Sequence, residues 1–183
     1  MNRTLVFGGA RSGKSAYAER LAAASGKEVV YIATATAGDA EMAARIAHHR
    51  AQRPAAWQTV EQPTALAAAL AAWRAPERLV LVDCLTLWLS NLMFSDGKHY
   101  PDVGAIALPD CFHEERAALL AELEADRGDV LLVSNEVGMG IVPWGAVSRS
   151  YADEAGRLNQ SVAAVCDRVV LVAAGLPLML KGG

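Results

Sequence analysis

Gly8, Gly9, Ala10, Arg11, Ser12, Gly13, Lys14 and Ser15 follow directly on the apolar run Thr4, Leu5, Val6 and Phe7. The octet fits the phosphate-binding loop pattern G-x-x-x-x-G-K-[ST], in the setting that pattern requires. A short buried strand precedes it, and the first turns of a helix, 15–21, follow. Gly8 and Gly13 permit backbone angles that a side chain would forbid, so successive N–H groups can turn inward toward an anion. The positive end of the helix starting near Lys14 adds to that field. In such a loop Lys14 reaches the β- and γ-phosphates, and the Ser15 hydroxyl holds Mg²⁺. A chance octet of this kind usually sits in a loop with no strand before it. This chain reads as one that binds a nucleoside triphosphate.

Working outward, strand and helix signals alternate. Residues 28–33 form a second strand rich in β-branched and aromatic side chains, followed by a small-residue loop over 34–38. Asp39 is the expected N-cap of a helix over 40–50, and Pro54 ends that segment. A short strand over 57–60 and an alanine-rich helix over 64–73, opened by Pro63, come next. A buried strand, 79–83, leads into a helix over 85–94. Residues 95–111 carry Gly, Pro and Asp without a period and read as a surface loop or lid. A helix over 113–126, a strand over 129–134, a glycine-rich loop over 135–143, a helix over 151–165 and a strand over 168–173 complete the alternation. Residues 176–180 are the expected antiparallel edge partner. The fold class is α/β, a mostly parallel sheet with helices on both faces in a P-loop NTPase, as one domain over 1–183. Ligands of such sheets sit beyond the carboxyl ends of the strands, where the loops 8–15, 34–38, 83–84 and 135–143 emerge.

Composition narrows the clients. Apolar residues make up 53% of the 183, enough for a well-buried core. Seventeen basic residues against twenty acidic ones give a net charge of −3, so nothing points to a nucleic-acid partner, and small molecules are expected. Cys84, Cys111 and Cys166 show neither disulfide nor zinc spacing. With no signal-peptide layout, and an apolar stretch over 169–180 too short to span a bilayer, the expected setting is cytoplasmic.

Asp83 closes the run Leu79, Val80, Leu81, Val82, where an acid beside a phosphate loop holds Mg²⁺ directly or through water. The plainer alternative is a solvated carboxylate capping the next helix. Asn135 and Glu136 emerge from a strand end where a substrate hydroxyl could be positioned; an ordinary loop with a surface acid fits equally. Arg157 could touch phosphate, although a solvated helix arginine is commoner. His48 and His49 are adjacent on a helix, about 100° apart, and spacing alone marks them as surface histidines. A neutral imidazole can nevertheless attack phosphorus near neutral pH. His99 and His113 have no partner at useful spacing, and Trp57, Trp73 and Trp88 read as packing.

Together these segments resemble one family, the bifunctional adenosylcobinamide kinase / adenosylcobinamide-phosphate guanylyltransferases of cobalamin biosynthesis. The matching pieces are the octet at 8–15, Tyr31-Ile-Ala-Thr34, the stretch 41–46 with His48 and His49, Arg53-Pro54, Trp57 and Glu61. They continue with Asp83-Cys-Leu-Thr86, Asn91-Leu92, the run 134–143 (Ser-Asn-Glu-Val-Gly-Met-Gly-Ile-Val-Pro) and Gly156-Arg-Leu-Asn-Gln160. They stand in family order over nearly the whole chain, and the 135–143 block is far more specific than the phosphate loop. Residues 95–111 match no family motif.

The resemblance implies a RecA-like fold and two reactions. ATP or GTP first phosphorylates the aminopropanol hydroxyl of adenosylcobinamide. GTP then gives GMP to a histidine, releasing pyrophosphate, and the cobinamide phosphate takes the GMP to form adenosylcobinamide-GDP. By resemblance the guanylylated residue is His48. The implied nucleotide contacts are Gly8 through Ser15, Ala33, Thr34, Ala35, His49, Arg50, Ala51, Gln52, Glu61 and Asp83. A homo-oligomer, often a trimer, is implied in the same way. Two other functions remain compatible with the phosphate loop: a kinase of another small alcohol with a merely structural histidine pair, and a nucleotide-gated binding module without group transfer.

Overall fold

The computed structural model describes residues 2–36 and 54–183. Its centre is a seven-stranded sheet in the order β3-β2-β4-β5-β1-β6-β7. The strands are β1 (Arg3–Gly8), β2 (Glu28–Ala33), β3 (Gln58–Glu61), β4 (Arg78–Asp83), β5 (Asp129–Asn135), β6 (Arg168–Ala173) and β7 (Leu176–Lys181). Every pairing is parallel except β6 with β7. The helices are α1 (Lys14–Ala23), α2 (Leu66–Trp73), α3 (Leu85–Met93), α4 (Asp110–Glu124) and α5 (Ala146–Val165).

Each central strand reads as an unbroken apolar run because both of its faces are covered. Leu5, Val30, Ile32, Val80, Val82, Val130 and Leu132 pack with α2, α3, α4 and α5 on one face. Their neighbours Val6, Tyr31, Leu79, Leu81, Leu131 and Val133 pack with Ala18 and Ala22 of α1 on the other. The alternation follows from the two-residue period of a strand. It leaves the phosphate-loop helix against the sheet by its small-residue face.

Several helix ends differ from the sequence reading. The last helix begins at Ala146, not at 151, and Arg149 folds back to donate to Pro143 O at 3.1 Å. The preceding long helix begins at Asp110, behind Pro109, so Cys111 belongs to it and not to the loop. The alanine-rich helix begins at Leu66, because Gln62 Oε1 accepts from the Thr64 and Ala65 amides and holds them in the turn before it. The C-terminal end of α4 is tied down by Arg74, whose guanidinium donates to Ala125 O at 2.9 Å and Gly128 O at 3.2 Å and pairs with Glu122. The expected helix over 40–50 lies outside the described residues. Among those described, no helix is long and apolar enough to cross a membrane.

Candidate active site

Parallel register aligns the strand ends that carry the candidate residues. Gly8 of β1 is level with Asn135 of β5, and Asp83 of β4 is level with Ala33 of β2 and Val133 of β5. Only β5 separates β1 from β4. Asp83 is therefore about 10 Å across the sheet from β1 and level with Val6, two residues before the loop begins, a gap that side chains and bound phosphate can bridge.

The loop is held open by its own backbone. Ser12 N donates to Gly9 O at 3.2 Å, Tyr17 N to Gly13 O at 2.9 Å, and Gly13 takes φ +92°. Arg11, at φ 56°, also adopts the left-handed region, and its side chain is exposed beside Gly9 and Ala10. Gly8 is required by contact: a methyl group there would stand 2.2 Å from Val172 O. Ser12 Oγ is buried and has no hydrogen-bond partner among the described residues. Lys14 is buried, and its ammonium donates to Gly9 O at 3.2 Å. Burial lowers its pKa, while Cys84 and Asp83 act in the opposite direction. Ser15 is half-buried in the first turn of α1.

Asp83 is half-buried, and its Oδ2 accepts from Tyr31 OH at 2.9 Å. Cys84, next in the chain, is buried; desolvation chiefly, then Asp83, pushes its thiol pKa up. Thr34, fully buried, accepts at Oγ1 from Cys84 N (2.9 Å) and donates to Cys84 O (2.8 Å), locking the ends of β2 and β4 together. Ala33 is buried and Ala35 half-buried beside it, while exposed Glu61 ends β3 level with Ala33.

Asn135 donates from Nδ2 to Thr86 Oγ1 at 2.6 Å, and its carbonyl accepts from Asn159 Nδ2 at 3.1 Å. Ser134 Oγ donates to Asn159 Oδ1 at 2.6 Å, and Tyr151 OH donates to Thr86 O at 2.9 Å. Burial is the main cause that raises Tyr151 to about 12, so it stays a neutral donor. Glu136 N donates to Gly8 O at 3.0 Å, bringing the glycine-rich loop against the start of the 8–15 loop; Glu136 Oε1 accepts from Gly138 N at 2.6 Å. A cavity of about 330 Å³ opens between residues 137–143 and the Arg149, Ala152, Asp153 side of α5. Ile141 and Trp144, beside it, are 98% and 96% exposed.

The phosphate loop, Ala33, Thr34, Ala35, Asp83, Asn135 and Glu136 thus share one end of the sheet. Arg157 does not join them: it pairs with Glu154, which also holds Arg116 of α4 at 3.1 Å, so its guanidinium belongs to the α4–α5 surface. His48, His49, Arg50, Ala51 and Gln52 lie outside the described residues. Sequence reasoning gave no role to Tyr31, Thr86, Tyr151 or Asn159. Three of the four stand inside motif blocks already singled out; Tyr151 carried no signal.

The sequence comparisons agree on one family. The family model described as cobinamide kinase / cobinamide phosphate guanyltransferase matches residues 4–180. The chain belongs to this family. It is 54% identical to the bifunctional adenosylcobalamin biosynthesis protein CobP of Pseudomonas aeruginosa, over 98% of both chains. It is 43% identical to the bifunctional adenosylcobalamin biosynthesis protein CobU of Escherichia coli K12, over 97% of this chain and 98% of that one. Among solved structures it resembles a prototypical ATPase from the type III secretion system of pathogenic bacteria, at TM-score 0.58 and 14% identity, covering 97% of this chain and 56% of that one. The assembled ATPase EscN of enteropathogenic E. coli gives TM-score 0.53 and 15% identity, over 94% and 43%. That likeness establishes the fold and nothing about the substrate. For the cobinamide kinase / guanyltransferase family, a P-loop fold implies nucleotide substrates.

Proposed function

We propose that this chain carries out both reactions of its family as one catalytic unit over 1–183: phosphorylation of the aminopropanol hydroxyl of adenosylcobinamide by ATP or GTP, then transfer of GMP to the product. The observation that carries the reading is the convergence of the glycine-lined loop, buried Lys14 and Asp83 at one sheet end, in a chain whose family model runs from residue 4 to 180.

In the kinase step the substrate oxygen attacks the γ-phosphorus and the nucleoside diphosphate leaves. Lys14 and the amides of 8–15 bear the charge that accumulates on the phosphates. In this reading Asn135 Oδ1 receives the hydroxyl and Glu136 its proton. In the second step a nitrogen of His48 bonds to the α-phosphorus of GTP as pyrophosphate departs. The same loop that gripped the β- and γ-phosphates now holds the leaving group. A phosphate oxygen of the cobinamide phosphate then displaces His48, giving adenosylcobinamide-GDP. Thr34, Ala35, His49, Arg50, Ala51, Gln52 and Glu61 complete the nucleotide pocket in this reading.

Ser15 and Asp83 offer hard oxygen donors suited to Mg²⁺, which binds through one or two protein ligands with phosphate oxygens and water filling the rest. Among the described residues no cluster of three or more His, Cys, Asp or Glu competes for a metal. When bound, Mg²⁺ neutralises charge on the phosphate oxygens. The bared apolar side chains of Ile141, Val142 and Trp144 fit a surface covered in a homo-oligomer, and the setting is cytoplasmic.

The test is incubation with Mg²⁺ and α-labelled GTP, then denaturation. A covalent label that acid removes, alkali spares and His48→Ala abolishes is the expected phosphoramidate. An unlabelled protein that still transfers γ-phosphate from ATP to an alcohol would leave only the kinase.

A further inference from the structure

The end of β6 and the turn joining it to β7 touch the phosphate loop at several points. Gly175 N donates to Ser12 O at 2.8 Å. A methyl group on Gly13 would meet Gly175 Cα at 3.2 Å, and one on Gly8 would meet Val172 O at 2.2 Å. Both turn residues hold positive φ, Ala174 at 52° and Gly175 at 78°, which aims the Gly175 amide at the loop. The C=O and N–H of a trans peptide point in opposite directions. Fixing Ser12 O on Gly175 therefore turns the Gly13 N–H to the other side of the same plane. A flip of that peptide would carry the Gly13 N–H away from its present side and put the Ser12 carbonyl oxygen, a partial negative charge, there instead.

We propose that the Gly175 amide is a positioning group for the nucleotide: by holding the Ser12–Gly13 peptide in one orientation, it keeps the Gly13 N–H aimed at phosphate. This rests on the reading of 8–15 as the triphosphate site. The apparent affinity of such a loop is its intrinsic affinity scaled by the fraction in the competent orientation. The C-terminal hairpin, whose Gly175 lies 163 residues beyond Ser12 in sequence (175 − 12), sets that fraction.

Cys166 makes the test practicable, since residues 166–183 can be synthesised and joined to 1–165 by native chemical ligation. In one ligated chain Gly175 becomes glycolic acid, which replaces the N–H by an ester oxygen, keeps every side chain and makes the Ala174 carbonyl a weaker acceptor; the all-amide ligated chain is the reference. Calorimetry with Mg²⁺ and a non-hydrolysable GTP analogue should show weaker binding for the ester, by at most about 12-fold, the ceiling set by the worth of one hydrogen bond. The kinase kcat at saturating nucleotide should stay within about twofold, since the bound loop is the same one. The Gly13 amide resonance should shift downfield on binding less in the ester than in the reference. Equal affinities in two folded chains overturn the inference. A reference chain that binds no nucleotide overturns the site reading itself, and the inference with it. If the ester chain does not fold, amide exchange in the unmodified protein decides: a Gly175 proton protected further by nucleotide supports the brace, and exchange at the unstructured rate refutes it.

Discussion

Replacing Tyr31 by phenylalanine removes one oxygen atom, the donor that reaches Asp83 Oδ2 at 2.9 Å. The ring is 2% exposed and packed beneath α1 with Ala18 and Leu81, so the aromatic packing survives the change. A hydrogen bond to a charged group contributes about 1.5–3 kcal/mol. Asp83 is half-buried, and water reaching its carboxylate recovers part of that, leaving about 1 kcal/mol of orientation. If Asp83 is the metal acid, its freed carboxylate must be reordered whenever Mg²⁺ and nucleotide bind. The Mg²⁺ concentration giving half-maximal kinase rate should rise about fivefold, with kcat at saturating Mg²⁺ within about twofold. Mn²⁺ binding in the presence of nucleotide, followed by its paramagnetic resonance, should weaken by the same factor without reference to turnover. Unchanged metal dependence in a folded Tyr31→Phe protein would refute the idea that Asp83 must be held in place to serve the metal.

Two stability predictions follow from charges far from the site. Arg74→Met should cost about 3 kcal/mol in urea unfolding, because it strips the donors from Ala125 O and Gly128 O and leaves Glu122 without its buried partner; a loss under about 1 kcal/mol would show that water replaces the guanidinium. Asp167 is lowered from 3.8 to about 2, first by the hydrogen bonds from the Arg3 side chain and backbone. A depressed carboxyl stabilises the fold above its ordinary pKa and loses that contribution as pH falls through the lowered one. The Asp167 side chain is 40% exposed, so Asp167→Ala should lower stability by about 1 kcal/mol near neutral pH, less than the full shift implies, and by almost nothing near pH 2. A difference that persists undiminished at low pH would assign the effect to packing.

The sheet was legible because each central strand is an apolar run between polar or glycine breaks, and burial on both faces demands that composition. Thr4 to Phe7 and Leu79 to Asp83 are bounded so sharply that strand ends came out within a residue. Helix starts were harder. The start of α5 holds Ser148, Arg149 and Ser150, which look like loop, and no side chain caps it; Arg149 instead secures the entry by turning back to the Pro143 carbonyl. Such a contact has no spacing rule.

The same division separates the two halves of the candidate site. Gly8, Gly13, Lys14 and Ser15 could be read because their chemistry depends on neighbours in sequence: one loop must present its own amides, and the glycine positions follow from that. Asp83 could be read because a strand end is a place on a sheet. The residues that orient them come from elsewhere, Tyr31 across 52 positions from Asp83 and Asn135 across 49 from Thr86. Asn135 shows what that concealed. Position alone left it level between a substrate contact and an ordinary loop residue. Thr86 Oγ1 now takes its Nδ2, with Cys84 Sγ further off at 3.8 Å, and its Oδ1 has no partner among the described residues. An amide fixed through its nitrogen presents its oxygen in one direction, and an oxygen can only accept. The partner that suits it is a donor such as an alcohol, which a substrate hydroxyl is and a phosphate oxygen is not.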